Sequence, residues 1–140
     1  SVFSVGTDGN QNTDGVGYLG YFFGNKQGVS KVGSYTGNGN ADGNFIYLGF
    51  KPAFILLKGT ANTENWSMYD NKRTGFNVDN NVLAPNDSAA ELTDDNIDLL
   101  SNGFKIRRQT GLLNDAQNYI YMAFAESPFV TSTGVPATAR

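Results

Sequence analysis

The stretch Asn118–Glu126 limits the fold of this chain more than any other part of its sequence. It is the longest apolar, aromatic-rich run, and it contains neither glycine nor proline. Successive side chains of a β-strand point to opposite faces of the sheet, and here both faces are apolar. Such a strand is typical of the interior of a β-sandwich, so we expect it to be buried on both sides. One face would carry Tyr119, Tyr121 and Ala123, and the other Ile120, Met122 and Phe124.

Short apolar runs separated by glycine and asparagine make up most of the remaining chain. Seventeen residues are glycine and seventeen are asparagine, and both types favour tight turns. No apolar pattern of helical period persists for three turns. The sequence therefore predicts an all-β fold, an antiparallel β-sandwich of roughly nine or ten short strands with long Gly/Asn-rich loops. The predicted strands are residues 1–5, 16–23, 29–35, 45–50, 53–58, 66–69, 97–100, 103–108 and 118–126.

Between these strands, residues 74–95 carry few apolar side chains. We expect them to form a long surface excursion with one short helical turn near residues 88–92. The tail from Ser127 to Arg140 holds two prolines and small polar residues, which favours a surface position or docking against a neighbour.

One apolar pattern occurs twice in the chain, 101 residues apart. We interpret residues 103–108 as the hairpin partner of the stretch 118–126, with residues 109–117 as their loop. The shift by 101 positions keeps the 15-residue interval from phenylalanine to tyrosine. The sequence thus predicts two equivalent hairpins, one at each end of the chain. The matched pairs are Phe104 with Phe3, Ile106 with Val5, Asp115 with Asp14, Tyr119 with Tyr18, Ile120 with Leu19, Phe124 with Phe23 and Val130 with Val29.

The composition excludes several classes of function. The 140 residues suffice for a single domain with a core that needs no cross-links. Cysteine and histidine are both absent, which removes disulfides, thiolate and imidazole metal ligands and the commonest general base. The net charge of -3 argues against a nucleic-acid partner. No stretch approaches the ~20 apolar residues of a transmembrane helix, so we expect no membrane insertion.

Two loops present oxygen-bearing side chains at alternate positions. Calcium takes about six to eight oxygen ligands, which makes both loops candidate calcium sites and leaves no other cofactor expected. The alternative is that these side chains form Asx turns, in which they accept hydrogen bonds from the backbone two residues on. The first loop contains Asp8, Asn10, Asn12 and Asp14, and the second contains Asn38, Asn40 and Asp42.

Aromatic and charged side chains cluster in the segment that follows Asn65. Trp66 and Tyr69 precede Asp70 and Arg73, and sugar rings stack on aromatic faces flanked by hydrogen-bonding groups. This pattern predicts a carbohydrate platform. The alternative is that Trp66 lies in the core and that Asp70 and Arg73 form a local ion pair.

Two further cations, Arg107 and Arg108, lie near the predicted tip of the last hairpin. They are expected to be exposed, either as part of a solvated loop or as a ligand contact.

Catalysis is not expected. Glycoside hydrolysis needs two carboxyl groups held about 5 to 10 Å apart across a cleft. Asp70 with Glu91, or Asp70 with Glu126, could supply such a pair, but nothing in the spacing distinguishes them. No nucleophile elbow is recognisable, and the glycines at 37, 39 and 43 are not followed by the lysine of a phosphate-binding loop.

Several segments together resemble the C-terminal domain of uncharacterised tailed-phage virion proteins. These domains commonly follow a concanavalin-like (laminin-G-type) module in tail-fibre or adhesin-like proteins, and residues 1–28 resemble the last hairpin of that module. Tyr21-Phe-Phe-Gly24 departs from the family, which has a cysteine-containing stretch there. The resemblance is carried by Lys31–Gly39, Gly49–Lys58, Asn65–Asp70 with Arg73, Ser88–Glu91, Leu100–Lys105, Tyr119–Glu126 and the Gly-Val-Pro-Ala-Thr-Ala-Arg140 tail.

The resemblance implies an extracellular protein of the virion surface. Its expected partners are other virion proteins, copies of itself in a trimer or other multimer, and a host surface glycan. The chain itself, which starts in what looks like a half-finished strand, is expected to be a piece or processed form of something longer. Two alternatives are a purely structural decoration or fibre-shaft subunit, and a secreted bacterial carbohydrate-binding module.

Overall fold

A computed structural model describes residues 3–73, 77 and 79–127 of the chain. These residues form one short helix and eight strands. Residues 128–140, which include most of the predicted surface tail, lie outside the described part. The elements are α1 (Gly9–Asn12), β1 (Ser30–Thr36), β2 (Phe45–Tyr47), β3 (Pro52–Gly59), β4 (Ser67–Asp70), β5 (Asp79–Val82), β6 (Leu92–Leu100), β7 (Gly103–Ile106) and β8 (Asn118–Ala125).

The strands build two four-stranded sheets. Sheet A has the order β1-β8-β3-β4, and sheet B has the order β2-β7-β6-β5. Every pair of neighbouring strands is antiparallel. The prediction of an all-β, antiparallel β-sandwich is therefore confirmed.

The core lies between the sheets and is rich in β-branched and aromatic side chains. β3 contributes Ile55 and Leu57, and β7 contributes Phe104 and Ile106, all with no exposed surface. Pro52 opens β3, at a strand end where a ladder can spare an amide donor.

β8 is buried on one face only, which corrects the expectation for this strand. Tyr119 and Ala123 have no exposed surface, whereas Ile120 on the opposite face is 41% exposed. A sandwich of two layers has a single core, so the second apolar face of β8 lies on the outside of sheet A.

The predicted hairpin of residues 103–108 and 118–126 is also wrong. β7 pairs with β2 and β6 in sheet B, whereas β8 pairs with β1 and β3 in sheet A. The intervening residues cross from one sheet to the other, and they carry Leu113 and Asn114 into the interior. Turn residues mark where a strand ends, but they do not distinguish a hairpin loop from a crossover.

The N-terminal segment, residues 3–24, contains no strand, so the predicted strands at 1–5 and 16–23 are absent from its described residues. The one secondary-structure element of this segment is α1, and every side chain of residues 3–24 is exposed. A strand needs a neighbour to satisfy its backbone donors and acceptors, and the strands of both sheets come from residues 30–125. The β-sandwich therefore begins at β1.

The region expected to be a surface excursion contributes to sheet B instead. β5 pairs with β6, and β6 begins at Leu92, five residues before the predicted start. No helical turn forms at residues 88–92. Polar residues such as Asn81 and Asp98 are buried in these strands, which hides the alternating apolar pattern that normally indicates a strand.

Candidate functional site

The candidate site lies where the two sheets join at one edge of the sandwich. β4 is an edge strand of sheet A, and β5 is an edge strand of sheet B. Met68 of β4 and Leu83, just after β5, exchange two backbone hydrogen bonds of 2.8 and 3.2 Å. This bridge holds both edges together and positions Trp66, the residue before β4.

A cavity of about 120 Å³ opens beside Trp66. Its walls are mainly apolar and come from both sheets and from the connection before β8, including Val82, Leu92 and Leu112. Trp66 itself is half-buried. The polar residues of the lining are Glu64, Asn65 and Ser67.

Ser67 is the one fully buried hydroxyl in this lining. The residue has no exposed surface, and its Oγ atom has no hydrogen-bond partner. A buried hydroxyl without a partner costs about 1 to 3 kcal/mol, but a residue without exposed surface offers no contact to a ligand. The exposed Glu64 is the more accessible polar side chain of the lining.

Amide side chains fix the rim of the cavity. Asn86 Oδ1 accepts a hydrogen bond from the backbone N–H of Trp66 at 2.9 Å, and Asn86 Nδ2 donates to Asn65 Oδ1 at 2.8 Å. Asn65 Nδ2 in turn donates to Asp87 Oδ2 at 3.0 Å. The loop after β5 is thus fastened to the segment that carries Trp66.

Tyr69 does not belong to this site. It is fully buried and packs in the core, so the prediction that it offers a face to a sugar is wrong. Ser67 and Tyr69 share the inward face of β4, because alternate side chains of a strand point the same way.

Asp70 and Arg73 form the local ion pair that was the alternative to a binding role. Arg73 Nε donates to Asp70 Oδ2 at 2.7 Å, and the guanidinium also binds the carboxylate of Glu91. Asp70 and Glu91 therefore share one cation. Neither carboxylate lines the Trp66 cavity.

Arg107 and Arg108 are also paired, although nearly half of each side chain is exposed. Arg107 binds Asp98, and Arg108 binds Asp94, both on β6. Their expected exposure is thus correct, but each guanidinium is already neutralised by a carboxylate of the neighbouring strand.

In the first oxygen-rich loop, two of the four candidate calcium ligands have partners within the N-terminal segment. Asp8 is the N-cap of α1, and its carboxylate accepts from Asn10 N at 2.8 Å. Asn12 Nδ2 donates to the carbonyl of Gly6 at 2.9 Å. Among residues 3–73, 77 and 79–127, no three Asp or Glu side chains converge as a metal site would require. A calcium site that includes Asp14 stays a prediction.

The second oxygen-rich loop follows the Asx-turn interpretation. Asn38 Oδ1 accepts from Asn40 N at 3.0 Å, and Asn40 Oδ1 accepts from Asp42 N at 3.1 Å. The buried Asn114 donates through Nδ2 to Asn38 Oδ1 at 2.7 Å. A hydrogen bond from Lys105, at 2.6 Å, holds the pKa of Asp42 below its usual value. The loop is thus built around side chains of the protein.

Sequence reasoning found Trp66 but missed Ser67, Val82 and Leu112. A cavity assembled from two sheets and a crossover carries no local signal, because its residues are neighbours only after the fold has formed. The nearest signal was the aromatic and polar mixture beside Trp66.

The described residues contain no helix that is long and apolar enough to span a membrane. No curated protein and no solved structure matches this chain. One family of domains matches, and the match extends over residues 1–128, which includes the N-terminal segment as well as the β-sandwich. The chain belongs to the family described as "Domain of unknown function (DUF7483)".

Proposed function

We propose that this domain is a non-catalytic adhesin module of a tailed-phage virion surface, a tail-fibre or receptor-binding part that contacts a host glycan. The sequence resemblance to virion proteins supports the location. The cavity beside Trp66 is the observation that supports glycan contact, because it combines an aromatic wall with the exposed carboxylate of Glu64. In the assembled particle the module is a trimer or other multimer of itself and contacts other virion proteins.

The chemistry of the cavity suits one substituent of a sugar ring. An apolar cavity of about 150 Å³ accommodates benzene, so this somewhat smaller space admits a methyl or acetamido group but not a whole ring. The ring would lie at the mouth against Trp66. The Glu64 carboxylate would then accept a hydrogen bond from the N–H of an acetamido group. An N-acetylated or methylated bacterial glycan fits these requirements best.

Trp66 is the single tryptophan of the chain, so intrinsic fluorescence reports on this site alone. The full chain should be titrated with N-acetylated and non-acetylated bacterial oligosaccharides, followed by fluorescence and calorimetry. We expect a saturable fluorescence change with the acetylated sugars. Glu64→Ala should weaken the calorimetric affinity by about tenfold, the equivalent of one hydrogen bond of about 1.4 kcal/mol.

Tyr47→Ala provides the matched control. Tyr47 is 60% exposed and lies on β2, at the edge of sheet B opposite to β5, so its loss should leave glycan affinity unchanged. Equal losses in Glu64→Ala and Tyr47→Ala, or no binding by any glycan, would contradict the proposed contact.

A second candidate function is that of a purely structural subunit, favoured by the outer face of sheet A. Cross-strand partners place Val32, Met122, Leu56 and Met68 in one apolar row over all four strands. These side chains are exposed or half-buried. Apolar rows of this kind mark interaction surfaces. The expected occupant is the same face of a second copy.

Light scattering on the full chain tests this alternative. If the outer face of sheet A is an interface, Leu56→Asp should convert a multimer to a monomer. A wild-type chain that stays monomeric at high concentration argues against this interface.

A further inference from the structure

The N-terminal segment, residues 3–24, exposes a concentrated set of large apolar side chains. Leu19 is 79% exposed, Tyr21 76% and Phe22 66%. Phe3 is 62% exposed. Single exposed apolar residues are normal, but a continuous group of them indicates a surface that another element covers. The hydrogen bonds within this segment indicate which element that is.

The crossover between β7 and β8 is closed by a turn anchored on a tyrosine. The amides of the third and fourth residues after Thr110 donate to its carbonyl oxygen at 3.0 and 2.8 Å. The Tyr119 hydroxyl donates to the Gly111 carbonyl at 2.9 Å and accepts from the Asp115 amide at 2.9 Å. These four bonds fix where β8 begins.

The N-terminal segment contains four bonds of the same kind, with one more residue between the turn and its tyrosine. The amides of the third and fourth residues after Asp8 donate to its carbonyl oxygen, both at 3.0 Å. The Tyr18 hydroxyl donates to the Gly9 carbonyl at 3.1 Å and accepts from the Thr13 amide at 3.0 Å. Tyr18 is also the residue that matches Tyr119 in the sequence repeat. The repeat therefore extends from residue types to the kind of turn, which is displaced by one residue relative to the 101-residue shift.

Four core-facing positions of β7 and β8 have apolar counterparts that lie together in the N-terminal segment, whereas a fifth, Tyr121, corresponds to Gly20. Phe104, Ile106, Tyr119 and Ala123 have no exposed surface. Their counterparts line one open concave surface, which Leu19 and Gly20 also line, and the rings of the first and last counterparts are 4.3 Å apart. These counterparts are Phe3, Val5, Tyr18 and Phe22.

The β-sandwich of this chain cannot supply the missing half of that core. The places of β7 and β8 are occupied by residues 103–125, which pair with β1, β2, β3 and β6. A second β7–β8 unit needs a second set of strands of the β1–β6 type.

We infer that residues 3–23 are the β7–β8 unit of a second β-sandwich of this same architecture, whose β1–β6 strands lie N-terminal to residue 1 in the same polypeptide. In this fold β1–β6 precede β7–β8, and a two-residue turn, Ser101 and Asn102, joins β6 to β7. The covering element is therefore a sandwich of the same family in tandem with this one. The inference does not rest on the glycan contact proposed above.

A fusion protein tests the inference directly. Residues 25–101, which carry β1–β6, are fused to the N-terminus of the full chain, so that Ser1 takes the position of Asn102. We expect the amides of residues 3–23 to become protected from hydrogen exchange and binding of the dye anilinonaphthalene sulfonate to fall several-fold. A second cooperative unfolding transition should also appear.

Two variants of the fusion separate the core face from the outer face. Phe3→Ser combined with Phe22→Ser removes two core-facing side chains and should abolish the new protection. Leu19→Ser changes a position whose counterpart, Ile120, faces outward, and should preserve it. If residues 3–23 exchange as fast in the fusion as in the parent while residues 30–125 stay protected, the inference is overturned.

The parent chain provides a measurement that does not depend on the fusion folding. We expect the parent to bind the dye, and the Phe3→Ser, Phe22→Ser variant to lose that binding with an unchanged unfolding midpoint of the sandwich. Self-association of the parent that this double variant removes would show that a second copy covers the segment, and would also overturn the tandem arrangement.

Discussion

The two copies of the β7–β8 unit carry one sequence pattern in two different structural states. Phe104 and Tyr119 have no exposed surface, whereas their counterparts Phe3 and Tyr18 are 62% and 50% exposed. Both units build the tyrosine-anchored turn, but only residues 103–125 form strands. The turn depends on local bonds, and the strand depends on a partner. The local sequence pattern is therefore sufficient to form the turn but insufficient to form the strand.

Matched tyrosine substitutions should give the largest difference between the two units. Tyr119→Ala removes a buried ring and its hydroxyl bonds, and should lower the free energy of unfolding by about 3 to 5 kcal/mol. Tyr18→Ala should change it by less than about 0.5 kcal/mol, because the ring lies outside the core. Urea unfolding of both variants checks this. Similar losses would mean that the N-terminal segment folds as part of the sandwich.

Alkaline pH should destabilise the sandwich through its tyrosines. Desolvation raises the pKa of Tyr35, Tyr119 and Tyr121 above the ordinary value. Above pH ~10 the unfolded chain loses protons that the folded chain keeps, so stability is complete below that pH and falls as the pH rises. The slope approaches about 1.4 kcal/mol per pH unit for each tyrosine. Unfolding measured from pH 8 to 11 tests the direction, and a flat profile would contradict it.

Matched asparagines extend the comparison to the turns. Asn114 and Asn12 are both the fourth residue after the carbonyl that closes their turn, but only Asn114 is buried. Asn114→Ala should cost about 1 to 3 kcal/mol, because it leaves the Asn38 and Asn40 oxygens without their donor. Asn12→Ala should be nearly neutral. Hydrogen exchange of the Asn38 amide would report the loosened loop, and unchanged exchange would argue against this role.

The smallest effect is expected from the ion pairs, all of which lie within residues 42–126 for the described part of the chain. Arg73→Gln should lower stability by about 0.5 to 1 kcal/mol, since the guanidinium serves two partly exposed carboxylates. The loss should shrink at high salt. Urea unfolding at low and high ionic strength measures it. A loss that salt does not change would indicate packing rather than charge.

Much of the fold could be predicted from local pattern. The run Phe54–Leu57 and the stretch 118–126 identify β3 and β8, because long apolar runs without glycine have few alternatives to a strand. The alternation of Asn38 and Asn40 likewise indicated Asx turns, which need only neighbouring residues. These features are local.

The remaining features depend on contacts between distant segments. Alternation in β4 shows that Ser67 and Tyr69 share a face, but it does not show that this face is the inner one. Trp66 was therefore grouped with a buried tyrosine, and the cavity wall from β5 and β6 was not foreseen. The N-terminal pattern was read as strands for the same reason, since its sequence does not reveal that a partner is needed.

The bridge between Met68 and Leu83 has a consequence for the behaviour of this domain at high concentration. Exposed sheet edges recruit strands from neighbouring molecules and lead to aggregation. Here two of the four edges are tied to each other, a third is only three residues long, and the fourth has its Val32 amide covered by the Asn25 side chain at 2.7 Å. These features reduce the tendency of the sheets to pair edge to edge with neighbouring molecules at high concentration.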